Sequence, residues 1–498
     1  MAARPSSSPS PINRDQWTSL GAVLIGTFMV ALDQTIVAIA LPQIGVELRA
    51  SGGIEWIITA YLLALGMIQP ATGWLADRIG RKGIFLGGLA VFTAGSLLCA
   101  LAPSLPLLVM ARIVQGLGGG TIFPVGRTMI FEHFPADRRG MAMGMWSLGI
   151  AGAPAVGPVL GGFIVTHWDW RLLFLVNGPI GIVGLLVGWR FLRFAGFREP
   201  RPFDRSGFAL IAIGLGAGLL ALSEANDWGW LAPPTLGLFG LAAVALVVFA
   251  RHALRRDEPL IDVRMFAIPG FSITLAIVGG LVIAQLAVLV FVPLELEAIR
   301  GLSPLEVGII LTPAALASAI AGPLGGQLAD RIGARPPVLA GLVCIAAATL
   351  LLSQTRVDTP VLAVLGMVTL QGFGNSMALP PNTLAGLNVL PQALLARGSA
   401  LRSTVRQVSG SFGLAALTAV VVAEAGALTP TADPDSAVRL QDAYGTGFLI
   451  SAGIIGLCLI AAFFLPGAAE MRADRAERAV EHERLMADRS RPDPRLRS

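Results

Sequence analysis

Apolar runs of about twenty residues, separated by short charged or Pro/Gly-rich breaks, fill this chain from residue 18 to residue 466. Each is long enough to cross the hydrocarbon core of a bilayer as a helix. Within that core only helices and closed barrels can satisfy every backbone N–H and C=O. The runs lie at roughly 18–41, 54–74, 84–102, 106–126, 141–164, 172–192, 207–224, 232–250, 270–292, 305–326, 336–354, 360–380, 399–424 and 444–466. The fold class they predict is an all-α integral membrane protein with fourteen transmembrane helices. Composition agrees: 13% of residues are charged, against about 25% in a soluble domain.

The basic residues orient the helices. Lys82 is the only lysine. With the N-terminus in the cytoplasm, Lys82 and nearly all the arginines fall on the inner side, including Arg14, Arg78, Arg81, Arg127, Arg138, Arg139, Arg193, Arg198, Arg201, Arg205, Arg255, Arg256, Arg331, Arg335 and Arg397. Five fall outside (Arg49, Arg171, Arg300, Arg356, Arg439), and Arg112 alone is placed deep in a span. Positive charge collects on the cytoplasmic side of membrane proteins, so both termini are expected inside. The pI near 9.8 is thus a topology signal, and no nucleic-acid partner is expected. Cys99, Cys344 and Cys458 sit singly in apolar runs and suggest neither disulfides nor a metal site. The first run is too long for a signal-peptide core and has no convincing cleavage site. The longest outer loop, about 425–443, is short, and the charged tail reads as a solvated extension or a surface helix.

An internal repeat fixes the architecture. GWLADRIG at 73–80 recurs as GQLADRIG at 326–333, and QGLGGG at 115–120 is echoed by QGFGNS at 371–376. Span 2 therefore matches span 10, and span 4 matches span 12. The expected layout is a disordered N-terminus (1–16), a six-helix bundle (17–194), two extra linker helices with basic flanks (195–269), a second six-helix bundle (270–466) and a cytoplasmic tail (467–498). Repeated six-helix halves mark secondary transporters, whose sites lie at the repeat interface near the midplane. The linker helices are apolar all round before Glu224, which suits a peripheral place in lipid.

Four motifs carry the chemistry. GWLADRIGRK holds Gly73, Asp77, Arg78, Gly80, Arg81 and Lys82, and its second copy holds Asp330 and Arg331. Here Gly80 permits the turn at the membrane face, and Asp77 beside Arg78 and Arg81 is expected to latch the halves. LLVMARIVQGLGGG places Arg112 inside the fourth span, where an unpaired charge costs at least about 2.5–3.5 kcal/mol and so seeks a cavity or a partner. Snorkelling to the outer surface is the alternative. FMVALDQTIVAIALP contains Asp33, the only acid well inside a span, at nearly the depth of Arg112. Burial raises a carboxyl pKa and a nearby arginine lowers it, so Asp33 and Arg112 are candidates for proton coupling; a purely structural pair is the other reading. GPVLGG in the fifth span supplies Gly157, Pro158, Gly161 and Gly162, combining small-residue packing with a helix kink.

The first of these motifs resembles the loop signature of the major facilitator superfamily. The others resemble motifs of its fourteen-helix drug–proton antiporters, GPVLGG being similar to the antiporter motif of the exporters. Ala38 and Ala153 depart from that pattern, standing where the family commonly has Asn and frequently has Gly. The resemblance implies an exporter, not an enzyme, that works by alternating access, with the bilayer, protons and a small lipophilic substrate as partners.

Three absences narrow the function. There is no phosphate-binding loop for ATP, no His/Cys/Asp grouping with metal spacing, and no basic counterpart of Arg112, since Val368 stands at the matching position. No cofactor is expected. The first half is therefore read as the proton machinery. The second is read as substrate surface through Gln371, Phe373, Asn375 and Met377, with Gln34, Tyr61 and Gln115 adding cavity groups from the first half. A lipid or glycolipid exporter is the alternative reading. The GPVLGG motif argues against a nutrient importer, and no large soluble domain supports a sensor. In a two-membrane bacterium a periplasmic adaptor could carry substrate onward.

Overall fold

A computed structural model describes residues 12–48, 54, 56–135, 137–192, 202–256, 259–302, 304–391, 394–425 and 435–465. Expectations for residues 1–11, Arg193, Arg198, Arg201 and the tail 467–498 fall outside these. Fourteen long helices are present among the described residues. The first half holds α1 (Arg14–Glu47), α2 (Trp56–Ile79), α3 (Arg81–Ala100), α4 (Leu105–His133), α5 (Arg139–His167) and α6 (Arg171–Phe191). Next come α7 (Arg205–Trp228) and α8 (Pro233–Arg255). The second half holds α9 (Pro269–Leu294), α10 (Pro304–Ile332), α11 (Arg335–Leu352), α12 (Val361–Asn388), α13 (Leu395–Ala425) and α14 (Ser436–Ala462). Thirteen are long and apolar enough to span a membrane by composition; the glycine-rich α5, at 29 residues, is long enough to be the fourteenth.

The sequence boundaries shift where local chemistry extends a helix. Residues 14–16 join α1 instead of a disordered segment: Asn13 accepts from the Gln16 amide, and the Gln16 side chain accepts from Asn13 N–H. This reciprocal cap satisfies amides a helix start otherwise leaves open. On the outer side α14 begins at Ser436, so the loop before it is shorter than 425–443. Both copies of the repeated motif end on a glycine in the left-handed region, Gly80 at φ 88° and Gly333 at φ 90°. A side chain there would be strained, which explains why glycine ends both copies.

The halves meet at their cytoplasmic ends. α5 and α10 touch backbone to backbone at Gly140 with Gly326 and at Gly144 with Gly322. Gly73 of α2 also lies against the α13 backbone, where a Cβ would stand 3.2 Å from the Arg397 Cα. α7 packs against both α2 and α13, α8 packs on α7, and neither lines the central cavity. The outer surface of α8 exposes Leu236, Leu241, Val244 and Val247, as a lipid-facing helix does.

Candidate translocation site

Inside the first half, four helices converge on Asp33. The side chains of Asp33, Arg112 and Gln115 are at most 1% exposed. Arg112 Nη1 donates to Asp33 Oδ2 at 2.6 Å and to Gln115 Oε1 at 2.6 Å, and its Nε donates to the Ile57 carbonyl at 3.0 Å. Gln115 Nε2 donates to Asp33 Oδ1 at 2.8 Å and to Ser96 Oγ at 2.6 Å. Asn177 Nδ2 donates to the same carboxylate oxygen at 3.0 Å. Arg112 Cζ sits over the Tyr61 ring, 4.0 Å from its centroid, a favourable cation–π placement. Arg112 is turned inward to a partner, so it does not snorkel. Breaking a buried pair of this kind costs about 3–5 kcal/mol because the survivor is left charged and dry.

Sequence reasoning found the pair but missed two of its supports. Ser96 and Asn177 are buried polar groups in otherwise apolar spans, and that isolation was the available signal. Tyr61 and Gln115, expected in the substrate cavity, belong to this cluster instead. Small residues make room for it: a Cβ on Gly95 would stand 2.7 Å from the Gln115 backbone.

The cavity lies between the halves, next to this cluster. It has a volume of about 280 Å³, near the lower end of the range for small-molecule sites. Gln34 and Thr35, directly after Asp33, line one wall; Gln285, Gln371, Asn375 and Arg406 line the other side. Phe373 and Met377 are not part of the lining. The Met377 backbone packs instead where Gly325 of α10 leaves room. Gly157 sets α5 against α1, since a Cβ there would collide with the Thr35 hydroxyl. Gly162 has open space around it, and Gly161 is buried. The side chain of Pro158 falls outside the described residues.

The cytoplasmic latch differs from the expected one. Among the described residues no ion pair joins Asp77 to Arg78 or Arg81. Arg81 pairs with Glu132 at 2.7 Å within the same half, Arg78 lies over the Trp74 ring, and Lys82 Nζ donates to the Trp189 carbonyl. Asp77 Oδ1 is buried without a hydrogen-bond partner. The second copy bridges the halves instead: Asp330 accepts from Gly140 N–H and Met141 N–H, both at 2.9 Å. These are first-turn amides of α5, where a carboxylate satisfies open donors and the helix dipole together. Its neighbour Arg331 is exposed.

The sequence model described as Major Facilitator Superfamily matches residues 23–414 and 275–487. The chain belongs to the major facilitator superfamily. It is similar to the Multidrug resistance protein Stp of Mycobacterium tuberculosis, at 32% identity over 83% of this chain and 77% of that protein. It is also similar to the Tetracenomycin C resistance and export protein of Streptomyces glaucescens, at 31% identity over 88% and 84% of the two chains. Among solved structures, the proton:xylose symporter XylE superposes with a TM-score of 0.63 at 14% identity, covering 92% of this chain and 98% of that one; that match speaks for the fold alone. Fold, spans and bacterial relatives make this a multi-pass transporter of the bacterial inner membrane, from a superfamily of transporters and not of enzymes.

Proposed function

We propose that the protein is a proton-coupled exporter of amphipathic compounds, working by alternating access, with Asp33 as the proton site. The observation that carries this reading is the position of Asp33, buried in a ring of donors and one residue before Gln34 of the cavity wall. As a carboxylate it holds Arg112, Gln115 and Asn177 together. Protonation removes the charge that Arg112 pairs with and leaves the guanidinium without its counterion. Helix α1 carries both Asp33 and Gln34, so loss of that pair reaches the cavity wall directly. The closed cytoplasmic face, with Asp330 on α5 and the Gly140–Gly326 contact, corresponds to the state that admits protons from outside and releases substrate there. The names of the relatives above, two of them resistance or export proteins, support drug-like cargo. The test is uptake of a dye panel into inside-out vesicles with and without an imposed proton gradient. Gradient-dependent accumulation of at least one amphipathic dye, absent from vesicles lacking the protein, is expected. Equal accumulation with and without the gradient would refute proton coupling.

A further inference from the structure

Three further arginines lie inside the helix bundle, where the sequence reading placed Arg112 alone deep in a span. Arg127 of α4 is 4% exposed and Arg402 of α13 is 1% exposed. Arg406, one turn beyond Arg402, is the only charged residue lining the cavity among the described residues. Counted from the cytoplasmic helix ends at 1.5 Å per residue, Arg127 and Arg402 lie about 9–10 Å inside and Arg406 about 16 Å inside. Arg127 reaches Ser399 and Ser403 beside Arg402, and Arg406 lies one turn further along α13, so the three form a column whose inner end, Arg406, lines the cavity.

Among the described residues, neither an aspartate nor a glutamate pairs with any of the three, and the charges they feel are each other: Arg402 is repelled by both Arg127 and Arg406, and Arg127 by Arg406. Their contacts are neutral. Arg127 Nη1 reaches the Ser399 carbonyl at 3.2 Å and Ser403 Oγ at 3.1 Å across the halves. Arg402 reaches the Thr274 carbonyl at 3.3 Å and Thr383 Oγ1 at 3.0 Å. Donors remain open: Arg127 Nε and Gln371 Nε2 are buried with no hydrogen-bond partner. A guanidinium stays protonated in proteins, so titration does not relieve the repulsion. Buried charges are paired or bind ions, and arginine is the side chain suited to carboxylate and phosphate.

We propose that Arg127, Arg402 and Arg406 form an anion site at the cytoplasmic end of the cavity, which takes the carboxylate or phosphate group of an amphipathic substrate. The inference rests on the exporter reading above and specifies the class of cargo: anionic amphiphiles, the apolar part lying against Leu286, Leu289, Leu311 and Ile150. Arg127 belongs to one half and Arg402 and Arg406 to the other. An anion between them screens the repulsion across the gate, so bound cargo favours closure on the cytoplasmic side, which an exporter requires before outward release.

The test uses the full-length protein in neutral detergent and two probes, 11-(dansylamino)undecanoic acid and its uncharged methyl ester, with binding read by dansyl fluorescence. The acid is expected to bind at least about tenfold more tightly than the ester. Arg127→Gln, Arg402→Gln and Arg406→Gln should each reduce that preference to about twofold or less while ester binding persists, which also reports that the variant is folded. If wild type binds acid and ester equally, the proposal is overturned. If inorganic phosphate displaces nothing and stabilises the protein while acid and ester bind alike, the column holds a resident inorganic anion and the substrate assignment is wrong. The binding preference is independent of Asp33: Asp33→Asn should retain it, so failure of proton coupling and failure of the anion site are read separately.

Discussion

Replacing Asp330 by asparagine weakens the cytoplasmic latch by an amount the geometry allows us to bound. The carboxylate accepts two backbone N–H groups at 2.9 Å each, both from the first turn of α5. A hydrogen bond to a charged group contributes about 1.5–3 kcal/mol, and a negative charge at a helix N-terminus adds about 0.3–1 kcal/mol. Asparagine keeps one acceptor oxygen and loses the charge. The closed state should therefore lose about 2–3 kcal/mol relative to the inward-open state, a roughly 30- to 150-fold shift in their ratio. Ser403, 5% exposed and in contact with Arg127, reports on the gate. In a background with Cys99, Cys344 and Cys458 replaced, Ser403→Cys should react slowly with an impermeant maleimide in inside-out vesicles. Adding Asp330→Asn should raise that rate by more than tenfold. An unchanged rate would mean that Asp330 does not latch the gate and that the glycine contacts alone close it.

Two more outcomes follow from the same geometry. Gly326→Ala places a methyl group against the Gly140 carbonyl; overpacking of this kind costs about 1–3 kcal/mol, so Ser403→Cys labelling should rise again, whereas Gly162→Ala, with open space around it, should leave labelling and export as in wild type. Outside the membrane, burial pushes the Asp204 carboxyl up, but bonds from Gly207 N–H, His252 and Leu260 N–H outweigh it and hold the carboxyl below its usual range. Its contribution to stability is thus present above the unfolded value of about 3.9 and lost as pH falls through the depressed folded value. Asp204→Asn should lower the melting temperature at pH 7, and the two melting curves should converge as the pH drops below about 4; parallel curves down to pH 3 would remove Asp204 from the acid response.

What the residues disclosed in advance was the part governed by periodicity and by rarity. Long apolar runs specify helices in lipid whatever their neighbours, and a lone acid and a lone base at one depth had strong reason to meet, as Asp33 and Arg112 do. Arg127 was hidden because the fourth span was drawn to end at residue 126, where charge begins, and Arg402 and Arg406, inside the run 399–424, were counted with the cytoplasmic arginines at its inner end. A hydropathy pattern cannot distinguish an arginine that ends a helix from one that continues it into a protein interior. The latch was legible as a motif but not as a choice between copies. Asp77 and Asp330 occupy equivalent positions in the repeat, and only packing shows that α5 offers open amides to Asp330 while Arg81 is drawn to Glu132. Likewise Gln115 shares α4 with the cavity residue Phe123, and tertiary contact settles which side of the helix it occupies; Tyr61 lies on α2, which lends no residue to the cavity lining.

The central claim is that Asp33 carries the coupled proton, and proteoliposomes test it most directly. With purified protein reconstituted and a pH-sensitive dye on one side, substrate addition should drive proton movement by wild type. Asp33→Asn should abolish that proton flux and gradient-driven transport, yet still exchange labelled for unlabelled substrate across the membrane, because the cavity and the gate remain intact. Substrate-dependent proton flux at the wild-type rate in Asp33→Asn would contradict the account and place coupling elsewhere in the molecule.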